Sequence, residues 1–174
     1  MTDWGSYARQ GQMYSAANVS AKSVIAVATA MTGVIIYNPI GSGVYLLLKE
    51  AGFAWTTAPA AVHNLGLAIG PSPVAPTSLT NIGSGVKTNT GLGNAGISST
   101  GAYDAATFAV APVAVRWFGG AVYGSGVGES PFSIVDNIDG AIALAPGTFG
   151  CLTVVTTTSV GLGHITWAEV PVVG

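Results

Sequence analysis

Charge is what this chain has least of. Five cations and seven anions stand among its 174 residues, 7 %, where ordinary soluble domains carry roughly 25 %. A folded monomer of this length exposes on the order of 8,000 Å², so each charge would serve roughly 650 Å² of surface. Free monomers keep charge denser than that to stay in solution. The scarcity predicts that much of the exterior is covered, in the working state, by copies of the chain or by a larger partner. The cations Arg9, Lys22, Lys49, Lys87 and Arg116 are scattered and the net charge is -2, which leaves no basic footprint for direct contact with nucleic acid.

Thiols and imidazoles are nearly as scarce. The single Cys151 excludes an intrachain disulfide framework and a thiolate zinc cage. It lies in the apolar run 149–155 and reads as a small buried hydrophobe. His63 and His164 are the only histidines. They stand about 100 residues apart in the sequence, with only Glu169 near the second, so no metal centre is expected. Long apolar runs are missing too. The charge-free stretches 51–86 and 140–168 are broken by Pro, Gly, Thr and Asn, and neither offers the roughly 20 continuous apolar residues of a membrane span. The first residues show no cationic stretch followed by an apolar one, so no secretory signal is read and synthesis in the cytoplasm is expected.

Glycine-rich strings are present but lack their context. Gly91-Leu92-Gly93-Asn94-Ala95-Gly96 matches the dinucleotide string, yet no helix opens behind it to receive a pyrophosphate. Gly83-Ser84-Gly85-Val86-Lys87-Thr88 departs from a phosphate loop by a valine before the lysine. No Gly-x-Ser-x-Gly elbow places a nucleophilic serine. Asp136 and Asp139 flank a turn signal, where Asp serves the backbone. No catalytic residue, no cofactor and no metal ligand is therefore assigned, and the chain is not expected to be an enzyme.

What is abundant is turn chemistry between short apolar runs. The segments 23–29, 33–37, 44–55, 64–70, 105–116, 133–138, 141–144, 148–158 and 165–170 read as strands, separated by Gly and Pro turns. Asp139-Gly140 reads as a two-residue hairpin turn. Gly52 suggests a bulge or bend in the long strand 44–55. Lys49 and Glu50 adjoin within that strand, so they point to opposite faces unless a bulge or a break intervenes. No sustained 3.6-residue period is present, so helices should be few and short. The expected fold is all-β: an antiparallel jelly-roll-like sandwich over 16–174, with a long Gly/Pro-rich loop at 71–101 and an extended N-terminal arm at 1–15. Trp4, Tyr7 and Tyr14 in that arm are candidate anchors on a partner, because aromatic rings give large contact area at little entropic cost.

Several motifs then point one way. Tyr14-Ser15-Ala16-Ala17-Asn18, the run Thr32-Gly33-Val34-Ile35-Ile36-Tyr37-Asn38-Pro39-Ile40-Gly41-Ser42-Gly43, Leu46 to Phe53, and the closing Gly161-Leu162-Gly163-His164-Ile165-Thr166-Trp167-Ala168-Glu169-Val170-Pro171-Val172 resemble the small head decoration, or cement, proteins of tailed bacteriophages. The resemblance runs over most of 14–172 as a pattern of strands and turns. It implies a virion structural protein on the capsid surface, binding the major capsid protein and commonly forming a homotrimer, without catalytic residues, nucleic-acid contact or membrane contact. Two alternatives share the composition. One is a tail, fibre or neck component; the other is a carbohydrate-binding sandwich, which would need exposed aromatics among Trp55, Trp117, Trp167 and Tyr123.

Overall fold

The computed structural model describes residues 3–57, 63–82, 88–89, 100–121, 133–156 and 158–172. Among the described residues the fold is nearly all β, with 63 % in strands and 4 % in helix. Among these residues one helix, α1 (Trp4–Arg9), precedes thirteen strands: β1 (Met13–Ala17), β2 (Lys22–Val24), β3 (Ala30–Asn38), β4 (Val44–Trp55), β5 (His63–Pro71), β6 (Thr77–Asn81), β7 (Thr88–Asn89), β8 (Gly101–Thr107), β9 (Val113–Ala121), β10 (Ser133–Asn137), β11 (Ala143–Leu144), β12 (Thr148–Val154) and β13 (Ser159–Pro171). They form two antiparallel sheets packed as a sandwich. The first runs β10-β4-β13-β1-β7, with β11 also on β4 and β2 on β13; the second runs β6-β8-β3-β12-β5-β9.

The eight longer-range partners nest as a jelly roll requires. β1 pairs with β13 and β3 with β12; β4 lies between β13 and β10, and β5 between β12 and β9. That gives two four-stranded layers wound from one folded ribbon. The remaining strands are additions. β8 and β6 widen the second sheet beyond β3, and β7 widens the first beyond β1. The stretch expected as a long loop at 71–101 thus supplies β6 and β7, while 83–87 and 90–99 lie outside the described residues.

Three further expectations are corrected. The N-terminal arm is not extended: Asp3 caps α1 by accepting the Ser6 amide at 3.0 Å, and β1 begins at Met13 inside the first sheet. The strand expected over 105–116 is two strands, because Pro112 cannot donate to a ladder and the chain leaves the sheet from Phe108 to Pro112. Asp139-Gly140 makes no hairpin. Both residues have positive φ, 50 and 80°, but β10 and β11 each pair with β4 and not with each other. The left-handed pair is instead a jog opposite Lys49, whose carbonyl accepts both the Ile138 and Asp139 amides.

Between the sheets lies the main core. Leu46, Leu48, Phe53, Trp55 and Trp167 of the first sheet meet Val34, Ile36, Leu65, Leu67 and Leu152 of the second. A second apolar cluster covers the far side of the second sheet, where Met31, Ile35, Phe108, Phe149 and Cys151 pack with Ile25 and Ala28. Phe108 and Phe149 stack with centroids 3.4 Å apart. Burial on both faces explains why Val34-Ile35-Ile36-Tyr37 is a continuous apolar run and not an alternation. Burial also pushes the Cys151 thiol up to about 12, so the reading of Cys151 as a buried hydrophobe matches its place.

One polar residue ties the two layers. Asn18, just past β1, accepts the Gly163 amide of β13 at 2.9 Å. Its own amide donates to the Gly33 carbonyl of β3 at 3.3 Å and to Asp104 Oδ1 of β8 at 2.7 Å. Lys22 of β2 closes the group, with Nζ 3.1 Å from Asp104 Oδ2.

Candidate functional site

The solvent face of the first sheet gathers the densest polar chemistry among the described residues. β4 carries two non-core residues, Lys49 and Glu50, between the buried Leu48 and Ala51. The register against β13 skips there: Thr166 lies opposite Glu50 and Trp167 opposite Leu48. Lys49 is the extra residue of a β-bulge, and a bulge re-aims a side chain. Lys49 and Glu50 therefore share one face, with Nζ 3.1 Å from Oε2. The bulge expected at Gly52 sits three residues earlier. Gly52 stays in regular register and does another job: a Cβ there would lie 2.4 Å from His164 Cε1, so its absence lets the imidazole lie down on the sheet.

Across the three central strands the polar atoms connect. Ser15 Oγ is 3.2 Å from Thr166 Oγ1, which donates to Glu50 Oε1 at 3.4 Å. His164 Nε2 is 4.0 Å from the same carboxylate oxygen. Beside His164 lies a hollow of about 380 Å³, lined by Ala17, Ala54, Val135 and Leu162 among others. The arrangement offers a carboxylate acceptor, an ammonium donor, two hydroxyls and an imidazole next to an apolar floor. These groups can give and take hydrogen bonds with a small polar molecule, and among the described residues no hydroxyl is hydrogen-bonded to the imidazole.

Burial lowers the His164 pKa from the ordinary 6.5, and the Glu50 carboxylate opposes this. The folded state thus prefers the neutral ring, and the unfolded chain takes up the proton first. The stability tied to this residue is complete above about pH 6.5 and is lost as the pH falls from there through the lower folded-state value. Melting temperatures measured between about pH 7.5 and 5 are expected to fall more steeply for the native chain than for His164→Gln. Parallel curves would remove His164 from the acid response.

The sequence-derived contact residues separate in space. Trp4 and Tyr7 are half-buried on α1, edge to face at 6.0 Å. Tyr14 is not available as an anchor. It is buried inside the sandwich and stacked on Trp167, centroids 6.1 Å apart, because β1 is an inner strand flanked by β13 and β7. Of the aromatics a carbohydrate-binding loop set would need, Trp55 and Trp167 are core and Tyr123 lies outside the described residues. Trp117 alone is exposed, over Gly66 of β5, where a Cβ would lie 2.6 Å from its ring. Asp136 is held by Arg116, Oδ2 to Nε at 2.5 Å, a pair that joins the edges of the two sheets through β10 and β9. No protein-family model, curated protein or solved structure matches the chain. The site must be read from its own geometry.

Two surface facts complete that geometry. Each Lys or Arg among the described residues is paired within the chain: Arg9 with Asp3, Lys22 with Asp104, Lys49 with Glu50 and Arg116 with Asp136. In contrast, edge strand β9 exposes Val113, Val115 and Trp117, beside an apolar groove of about 470 Å³ that reaches Leu144 and Thr148. Among the described residues no helix is long and apolar enough to cross a membrane.

Proposed function

We propose that this protein is a structural component of a virus particle, a decoration protein that binds the assembled head of a tailed bacteriophage and stabilises it. Its partner in that role is the major capsid protein, its own association is trimeric, and its task is adhesion and not catalysis. The observation that carries the reading is the state of the charges. They are few, and those on described cations are already paired within the chain, so what is left for a partner is largely uncharged surface, both apolar and polar. The jelly roll is compatible, since viral shell proteins use it, although a fold alone does not assign a function.

Such a protein stabilises a shell by binding the assembled form and not its free subunits, which shifts the assembly equilibrium. A modest contact repeated at many symmetry-related positions sums to a large effect. The half-buried pair Trp4 and Tyr7 on the one helix supplies an aromatic contact at the N-terminal end.

Shells assembled without the protein, mixed with it and imaged by electron microscopy, are expected to gain saturable, symmetric density. Occupancy should hold within about twofold between roughly 50 mM and 500 mM salt, because few ions are released on binding. Removing residues 1–10 should weaken attachment about tenfold, about 1.4 kcal/mol, with the melting temperature unchanged. A monomer at high concentration that leaves shells undecorated overturns the reading, as does attachment that vanishes over that salt range.

A further inference from the structure

We propose that the outer face of the first sheet, around Glu50 and His164, is a binding site for a neutral pyranose sugar. The inference does not depend on the shell-binding role; it rests on two local departures from regular strand structure that meet at one place. The bulge at Lys49 turns an ammonium and a carboxylate to the same face, and the missing side chain at Gly52 lets the His164 ring lie flat beside them. Neither departure serves the core, whose residues Leu48, Ala51 and Phe53 are buried on the opposite face.

The ligand class follows from the groups. Glu50 Oε1 and Oε2 accept hydrogen bonds, Lys49 Nζ donates, and the Ser15 hydroxyl does either, while the buried Thr166 hydroxyl donates to Glu50 and fixes that carboxylate. Lys49 and Glu50 cancel in charge, so neither a phosphate nor a free carboxylate finds an unopposed cation. A metal ion would have to displace Lys49 from Glu50 Oε2, 3.1 Å away, and would find only His164 as a second strong ligand. A sugar has what the site can use: adjacent hydroxyls that give and take hydrogen bonds, and a C–H face. The hollow beside His164, about 380 Å³ with Ala54, Val135 and Leu162 in its lining, takes that face. Its volume lies within the range of about 300–1,000 Å³ usual for small-molecule sites. Trp117, the exposed tryptophan, is on the other sheet and takes no part.

The test uses the whole chain labelled with ¹⁵N and titrated with the methyl glycosides of glucose, galactose, mannose and N-acetylglucosamine. At least one glycoside is expected to give saturable amide shifts confined to 15–18, 49–54, 133–135 and 162–166. Glu50→Gln and His164→Ala should each weaken that binding at least tenfold, and Trp117→Ala should leave it unchanged. Should Glu50→Gln fail to fold, Thr166→Val removes one hydroxyl at constant shape and should weaken binding at least threefold. No saturable shift with any of the four glycosides at tens of millimolar overturns the proposal. Shifts centred on Trp117, or binding unaffected by Glu50→Gln and Thr166→Val, overturn it equally. Shell decoration measured without sugar is a separate readout, so either idea can fail alone.

Discussion

Trp167→Ala is expected to destabilise the fold by about 4 kcal/mol, within the usual cost of deleting a buried large aromatic ring. Trp167 is fully buried at the centre of β13, the strand that pairs with β1, β2 and β4. Its ring stacks on Tyr14 at 25°, and its Nε1 donates to Glu169 Oε1 at 3.5 Å. Glu169 is itself buried and also accepts from the Thr100 hydroxyl. Truncation therefore opens a cavity, removes a ring pair and takes a donor from a buried carboxylate. Urea denaturation with an unchanged m-value measures the loss, and Trp167→Phe should recover roughly half of it by refilling most of the volume. A loss under about 1 kcal/mol would mean that the ring does not pack as described.

Asn18→Ala should cost about 3 kcal/mol although it removes only a small side chain. The amide makes one acceptor bond and two donor bonds, to β13, β3 and the Asp104 carboxylate. Its removal leaves the Gly163 amide and one Asp104 oxygen without these partners in a buried setting, and an unsatisfied buried group costs about 1–3 kcal/mol, more when charged. Asn18→Asp should do no better, because it sets a second carboxylate against Asp104. Chemical denaturation again provides the measurement. Equal stability of Asn18→Asp and the native chain would show that the amide donors are not needed. Asn18 also stands at the link between layers, so the loss should come mainly from faster unfolding if the two sheets dock late in folding.

The architecture was largely legible because its signals are local. Gly and Pro fall between apolar runs at 38–43, 71–76 and 145–147, and the strand 44–55 matches β4 from end to end. The jelly-roll winding was legible in the strand number, whereas the stretch 71–101 is no single long loop but supplies β6 and β7 between the paired strands β5 and β9. What escaped were features decided by partners distant in sequence. Asp139-Gly140 has the two positive φ angles a tight hairpin turn requires, yet β4 pairs with both flanking segments and holds them in line. Tyr14 looks like a surface anchor in a polar-flanked segment; only the placement of β1 between β13 and β7 buries it. The polar row on the outer face was half visible. Lys49-Glu50 announced an irregularity in the strand, but its meeting with His164 and Thr166 depends on the β4–β13 register, which no short motif encodes. Asn18 gave no signal beyond its turn-like neighbours.

The lone thiol offers a practical consequence. Cys151 sits mid-strand in β12 beneath the apolar cover of the second sheet, with its proton held tightly by burial. A soluble disulfide reagent can reach it only after Ile25, Phe108 and their neighbours lift away. The rate of colour release in native buffer therefore times how often that flank opens. Because the chain has one thiol, it gives one signal and carries its own clock for partial unfolding, readable on the free protein.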